Sequence, residues 1–242
     1  MLRKKRGSLE WLEFELFQDF SECRHAVFLR QSGITDPISD KGMIQEFLQC
    51  RQLMTSNLVH GKRVEEASSL KEIIDCDGLI TQKKGLGLLV THADCQAAVF
   101  FDPIQRAIGC IHAGWRGNVQ NIYKETVSKM ESLYGSKAAN ILVGVSPSLG
   151  PCCGEFINYQ KELPDSFLPF QVKPFHFDLW EVARFQLKEA GVLPHHIEMA
   201  SECTRCNPID FFSYRRQKEK SRHGTVVFLM EDVNREHPVE EI

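Results

Sequence analysis

Apolar residues gather in short, dense runs through the middle of the chain. Leu86–His92 (LGLLVTH) and Ala97–Phe101 (AAVFF) are two such runs and read as buried strands. Asp102-Pro103 breaks the second, and Ala107–His112 (AIGCIH) follows, so a hairpin or close strand pair is predicted. The period then changes. From Asn118 to Tyr134, the residues Val119, Ile122, Tyr123, Val127, Met130 and Leu133 fall at helical spacing, and Gly135 stops the run. Ile141–Val145 returns as a strand. A second helix is expected from Asp178, with Glu181 in capping-box position, to Gly191, and Thr225–Met230 (TVVFLM) is a late strand. Strands come both as neighbours and separated by helices, which predicts a mixed α/β (α+β) layered fold rather than a strict βαβ repeat. No linker, repeat or low-complexity tract interrupts the pattern, so one domain over 1–242 is expected.

Charge narrows the partners. Among 242 residues, 29 basic and 32 acidic side chains leave a net charge of −3, which removes the electrostatic case for nucleic acid. The run Arg3, Lys4, Lys5, Arg6 is too short to restore it. Near the N-terminus, Glu10, Glu13, Glu15, Gln18 and Asp19 interrupt any apolar stretch, and no run approaches the roughly 20 apolar residues that cross a bilayer. Nine cysteines without a signal peptide read as reduced thiols in a cytoplasmic protein. The expectation is a soluble protein with no membrane partner.

Reactive side chains are densest between His60 and Gly117: His60-Gly61, Asp77–Thr81 (DGLIT), Ala93-Asp94-Cys95 and His112–Gly117 (HAGWRG). Cys95 and His112 sit at strand edges, where a scaffold feeds loops that carry chemistry. Two histidines and a thiolate suit zinc or copper, and three protein ligands leave one tetrahedral position open, the catalytic pattern. The spacing alone does not establish a shared metal. No P-loop, HExxH, GxSxG or complete dinucleotide fingerprint occurs. Asp94 is a candidate proton-transfer or ligand-orienting group, and Asp77 reads as a turn cap beside Gly78. Arg116, in a turn flanked by glycines, is a candidate for phosphate or substrate. Arg215 and Arg216 point opposite ways in an extended segment, and Arg215 is favoured to face the site. His92 reads as a supporting or core histidine, Cys203 and Cys206 as buried thiols, and the adjacent Cys152-Cys153 as packing that does not share a metal. His195-His196 are read as solvated.

The chain resembles the bacterial YfiH/YlmD family, also called the multicopper polyphenol oxidoreductase or laccase-domain family. That family includes purine nucleoside phosphorylases and the peptidoglycan editing factor. HAGWRG at His112–Gly117 carries most of the resemblance, with Asp94-Cys95, Asp77–Thr81 and Gly150–Cys153 (GPCC) in support. Cys203–Pro208 (CTRCNP) and Phe211–Arg216 (FFSYRR) complete it, and the motifs keep the family's order from about residue 57 to residue 230. Departures fall at Leu58, His92, Gln96-Ala97 and Gly154, and the N-terminal family segment survives only as Arg30.

The resemblance implies a layered sandwich and zinc held by His60, Cys95 and His112, with copper as the alternative metal. It implies phosphorolysis of purine nucleosides, with adenosine deamination second, and a monomer or weak dimer whose partners are nucleoside and phosphate. Asp94 and Arg116 are then the expected catalytic residues, with Arg116, Ser213 and Arg215 binding substrate or phosphate. An amide hydrolase editing peptidoglycan precursors is the alternative activity. A copper polyphenol oxidase is disfavoured, because one His/Cys/His set does not build a multi-copper cluster.

Overall fold

The apolar runs become the middle strands of two facing six-stranded sheets in this computed structural model, which describes residues 1–67 and 73–231. The first sheet holds, in order, Leu2–Arg6, Leu9–Glu13, Cys23–Phe28, His223–Leu229, Leu86–His92 and Gln52–Thr55. The second holds Ile197–Met199, Leu142–Val145, Gln96–Asp102, Ala107–Ala113, Gly78–Thr81 and Val64–Glu66. Pairing is mainly antiparallel. Parallel pairs bring in Gln52–Thr55, Val64–Glu66 and Ile197–Met199 at sheet edges. The predicted hairpin forms, with register running from Gln96 opposite Ala113 to Asp102 opposite Ala107.

Alternation along the strands explains why the runs are apolar throughout. Leu88, Val90, Val227 and Leu229 enter the core between the sheets, where Ala97, Val99 and Phe101 meet them. Their neighbours Leu89, Val226 and Phe228 face outward onto Ile44 and Leu48 of the helix Lys41–Leu48. On the second sheet, Ala98 and Phe100 face outward onto Ile122, Tyr123, Val127 and Met130, with Ala183 and Leu187 alongside. A strand covered on both faces has no polar side to show. Each large apolar side chain buried this way contributes about 1.5–3 kcal/mol.

The predicted run Asn118–Tyr134 is divided. Helix Trp115–Val119 ends before Asn121, whose left-handed φ of 59° turns the chain, and whose side chain caps Lys124 N–H at 3.1 Å as helix Ile122–Tyr134 begins. Leu133, placed on the apolar face by its spacing, is exposed. The helix Leu179–Glu189 starts as expected, with Asp178 accepting from the N–H groups of Trp180 and Glu181. Among the described residues, no helix is long and apolar enough to cross a membrane.

One crossing positions the site. Strand Leu86–His92 ends in the first sheet, and after the turn at Ala93–Cys95 the chain enters the second sheet at Gln96. Strand Ala107–Ala113 ends beside that entry, since Ala113 pairs with Gln96. His92, Cys95 and His112 therefore share one end of the sandwich.

Candidate functional site

Three side chains converge on Gly114. A Cβ placed there would lie 3.3 Å from His112 Cε1, 3.4 Å from Cys95 Sγ and 3.6 Å from His60 Cδ2. The His60 and His112 rings stand nearly perpendicular, with centroids 4.9 Å apart. Beneath them lies Asp77, whose carboxylate is fully buried. It accepts from His112 Nδ1 at 3.0 Å, from the His60 N–H at 2.9 Å and from the Gly61 N–H at 2.6 Å. One carboxylate thus holds both the strand end and the loop carrying His60, which has a left-handed φ of 59°. With Nδ1 engaged, His112 keeps Nε2 for Cys95 or a metal, the carboxylate–histidine arrangement common behind metal ligands.

The electrostatics follow from those contacts. Burial opposes charge on His112, yet the bonds to Asp77 and Cys95 outweigh it and push the imidazole up to about 9. Burial, then the neighbouring His112 charge, holds His60 below the usual histidine value. Burial also opposes charge on Asp77, but the His112 bond and the two loop N–H groups keep it below the ordinary carboxylate range. The donor set and its support fit a borderline-soft metal.

A cavity of about 430 Å³ opens over this cluster. Leu58, Trp115, Leu149, Phe156 and Leu179 form apolar wall, while Asp94, Arg215 and Arg222 add charge to the lining. Asp94 has a φ of 73° in the crossing turn. Its carboxylate accepts from Thr204 Oγ1 at 2.7 Å and from the Arg215 N–H at 2.6 Å. Arg215 also donates from Nη1 to the Glu155 carbonyl, 3.0 Å away. Arg222 is half-buried and steadied through Nη1 by the carbonyls of Glu219 and Ser221.

The family model for the multi-copper polyphenol oxidoreductase laccase matches residues 40–230. The chain belongs to that family. It is 34% identical over 155 residues to human purine nucleoside phosphorylase LACC1, covering 60% of this chain and 36% of that protein. It is also 34% identical over 154 residues to the purine nucleoside phosphorylase of Bacteroides thetaiotaomicron, covering 60% of this chain and 57% of that one. The chain therefore matches little more than a third of the first relative's length and just over half of the second's. The crystal structure of YlmD from Geobacillus stearothermophilus shares the fold, with a TM-score of 0.82 at 22% identity, covering 95% of this chain and 99% of that chain.

Within this laccase-family chain, several side chains stand elsewhere than the sequence suggests. Ser213, expected to bind substrate or phosphate, is fully buried and outside the cavity lining. Its hydroxyl accepts from the Arg216 N–H at 3.1 Å and caps the short helix Tyr214–Gln217. Arg116 lies on the helix Trp115–Val119 rather than in a turn, is exposed, and stacks its guanidinium 4.3 Å above the Trp115 ring. It does not line the cavity, although its charge helps hold His60 down. Arg215 lines the cavity, whereas Arg216 is spent on the carbonyls of Thr204, Arg205 and Phe211 and on Glu219. Their segment is a helix, not an extended strand.

Other roles were missed. Asp77 is the shared support of both histidines rather than only a turn residue. His92, by contrast, fits its reading as a supporting or core histidine: it is buried at the cavity lining, 2.8 Å from Thr225 Oγ1. Arg222 carries no motif signal, since it follows FFSYRR in a lysine-rich loop. Cys206 is exposed and Cys203 half-buried, so the reading of both as buried thiols is corrected, and Cys152 beside them is exposed as well. Among the described residues, Cys152, Cys153, Cys203 and Cys206 form a group whose ligand atoms all lie within 4.8 Å of one another; His60, Cys95 and His112 are not such a closed set. Adjacency of Cys152 and Cys153 does not keep them from facing a common point.

Proposed function

We propose that this chain is a purine nucleoside phosphorylase that also deaminates adenosine, working at the cavity over His60, Cys95 and His112. The observation that carries the reading is the meeting, in one cavity, of the His/Cys/His cluster, apolar wall and two arginines. The names of the human and Bacteroides relatives support the phosphorylase part.

His60, Cys95 and His112 would hold one zinc, which when bound supplies a Lewis acid and a water activated near neutral pH for attack at C6 of adenine. The chain's own residues do the rest. Arg215 and Arg222 bind inorganic phosphate by charge-assisted hydrogen bonds and set an oxygen against C1′ of the ribose. A bond forms from that oxygen to C1′ while the C1′–N9 bond breaks, and the departing base takes the electron pair of that bond and the proton that the hydrogen phosphate carried. Leu58, Trp115 and Phe156 enclose the flat base and exclude water, which favours phosphate over hydrolysis. Asp94 positions Arg215 through its backbone N–H, and Asp77 fixes the His112 tautomer.

Zinc-loaded protein is incubated with adenosine, with and without phosphate. Adenine and ribose 1-phosphate are expected only with phosphate, and inosine in both cases. If neither set of products forms, the nucleoside reading is wrong. Inosine without any base release would remove the phosphorylase part alone.

A further inference from the structure

The chain carries a second cluster of soft ligands that the nucleoside chemistry does not use. Cys152 and Cys153 lie on the turn that begins at Gly150, closed by the Cys153 N–H donating to the Gly150 carbonyl at 2.9 Å. Cys203 and Cys206 lie on a second turn, where the Cys206 N–H donates to the Cys203 carbonyl at 3.2 Å. Backbone bonds lock the two turns together without help from sulfur. Thr204 N–H donates to the Ser148 carbonyl at 3.0 Å, and Ser148 N–H to the Glu202 carbonyl at 3.1 Å. All four Sγ atoms fall within 4.8 Å of one another, and Cys206 Sγ lies 3.5 Å from both Cys152 Sγ and Cys153 Sγ. The Gly150 N–H also points at Cys203 Sγ, 3.3 Å away, a contact that favours thiolate.

We propose that Cys152, Cys153, Cys203 and Cys206 form a second metal site, which takes one zinc ion as a closed tetrathiolate. Zinc–sulfur bonds of about 2.3 Å place the corners of a tetrahedron about 3.8 Å apart, within the range these sulfurs span. An all-sulfur set selects zinc over magnesium or calcium, and four protein ligands leave no open position, so the site is structural. Binding releases a proton from each thiol that is not already ionised. The zinc fastens the turn following cavity residue Leu149 to the turn that carries Thr204, the hydroxyl donor to Asp94. Nothing in this inference depends on the nucleoside reading.

The full chain is purified under reducing conditions with zinc present, as wild type, Cys95→Ala and Cys203→Ser/Cys206→Ser. Wild type is expected to hold one more zinc per chain than the double serine variant. Cys95→Ala is expected to retain the tetrathiolate zinc, and X-ray absorption on it should show four sulfurs and no nitrogen at the metal. The Cys95→Ala measurement stands even if the serine variant does not fold. Zinc absent from Cys95→Ala, or bound there by nitrogen or oxygen, would overturn the site, as would equal zinc in wild type and a folded serine variant. Failure of nucleoside turnover leaves both zinc readouts unchanged, so the two readings fail separately.

Discussion

Asp77 concentrates more of the site's organisation than any residue expected to do chemistry, because one buried carboxylate serves two histidines on different segments. Asp77→Asn keeps the shape but offers a single oxygen to three donors and loses the charge. Zinc competition titration should show affinity weakened about 10- to 100-fold, the usual cost of losing such a partner. Arg222 and Ser213 make a second contrast. Arg222→Ala should raise the phosphate KM about tenfold with a smaller change in kcat, as expected for a group that binds an anion. Ser213→Ala should leave that KM alone and lower the unfolding free energy, read from denaturant titration, by about 1 kcal/mol, the cost of a lost helix cap. These residues also show what sequence could convey. Cys95 and His112 stood out as reactive side chains at strand edges, but their grouping with His60, which sits in a loop, came from the family resemblance and not from spacing. For Ser213 a capping hydroxyl and a ligand-binding hydroxyl look alike in sequence, and only the structure shows the hydroxyl buried and accepting from the Arg216 N–H.

The turns between strands and helices decide where those residues meet. Gly114 has an ordinary φ of −70°, so its backbone tolerates alanine, but the added methyl would enter the space shared by His60, Cys95 and His112. Gly114→Ala should therefore fold with a near-native circular dichroism spectrum while losing zinc at this centre, counted on a background where the cysteine cluster is unchanged. Retention of full zinc affinity would mean that the ligands meet elsewhere. Strands Leu86–His92, Gln96–Asp102 and Ala107–Ala113 were legible within a residue, because burial on both faces leaves an unbroken apolar run. The break at Asn121 was not, since the helical spacing continues across it and only a left-handed φ reveals the turn. Strands such as Leu2–Arg6, LRKKR, carry too few apolar residues to stand out, and their pairing with Leu9–Glu13 is what makes them strands.

At the scale of the molecule, two neutral histidines tie distant segments together and set an acid limit. His223 accepts from the Phe212 N–H at 2.8 Å, and its Nδ1 lies 3.0 Å from the Phe28 carbonyl, while His25 accepts from the Phe14 N–H at 2.7 Å. Burial pushes both imidazoles down to about 4. The unfolded chain binds these protons near pH 6.5, so the folded state is fully favoured above that value and loses stability as pH falls towards 4. Each shift corresponds to about 3 kcal/mol across that window. Thermal unfolding followed by calorimetry should show Tm falling steeply over this range, and His223→Gln should flatten the fall. An unchanged slope would place the acid sensitivity elsewhere. Layering of helices on strands was legible from the mixture of periods, but the division into two facing sheets was not, because the N-terminal strands gave no signal. The central claim, phosphate-dependent cleavage of a purine nucleoside in the cavity over His60, Cys95 and His112, is tested most directly by ribose 1-phosphate release from inosine as phosphate is raised. Zinc-loaded wild type should show a rate that saturates with phosphate, and the double variant Arg215→Ala/Arg222→Ala should lose it. Absence of ribose 1-phosphate from the loaded wild type at high phosphate, or release that survives in that double variant, would contradict the account.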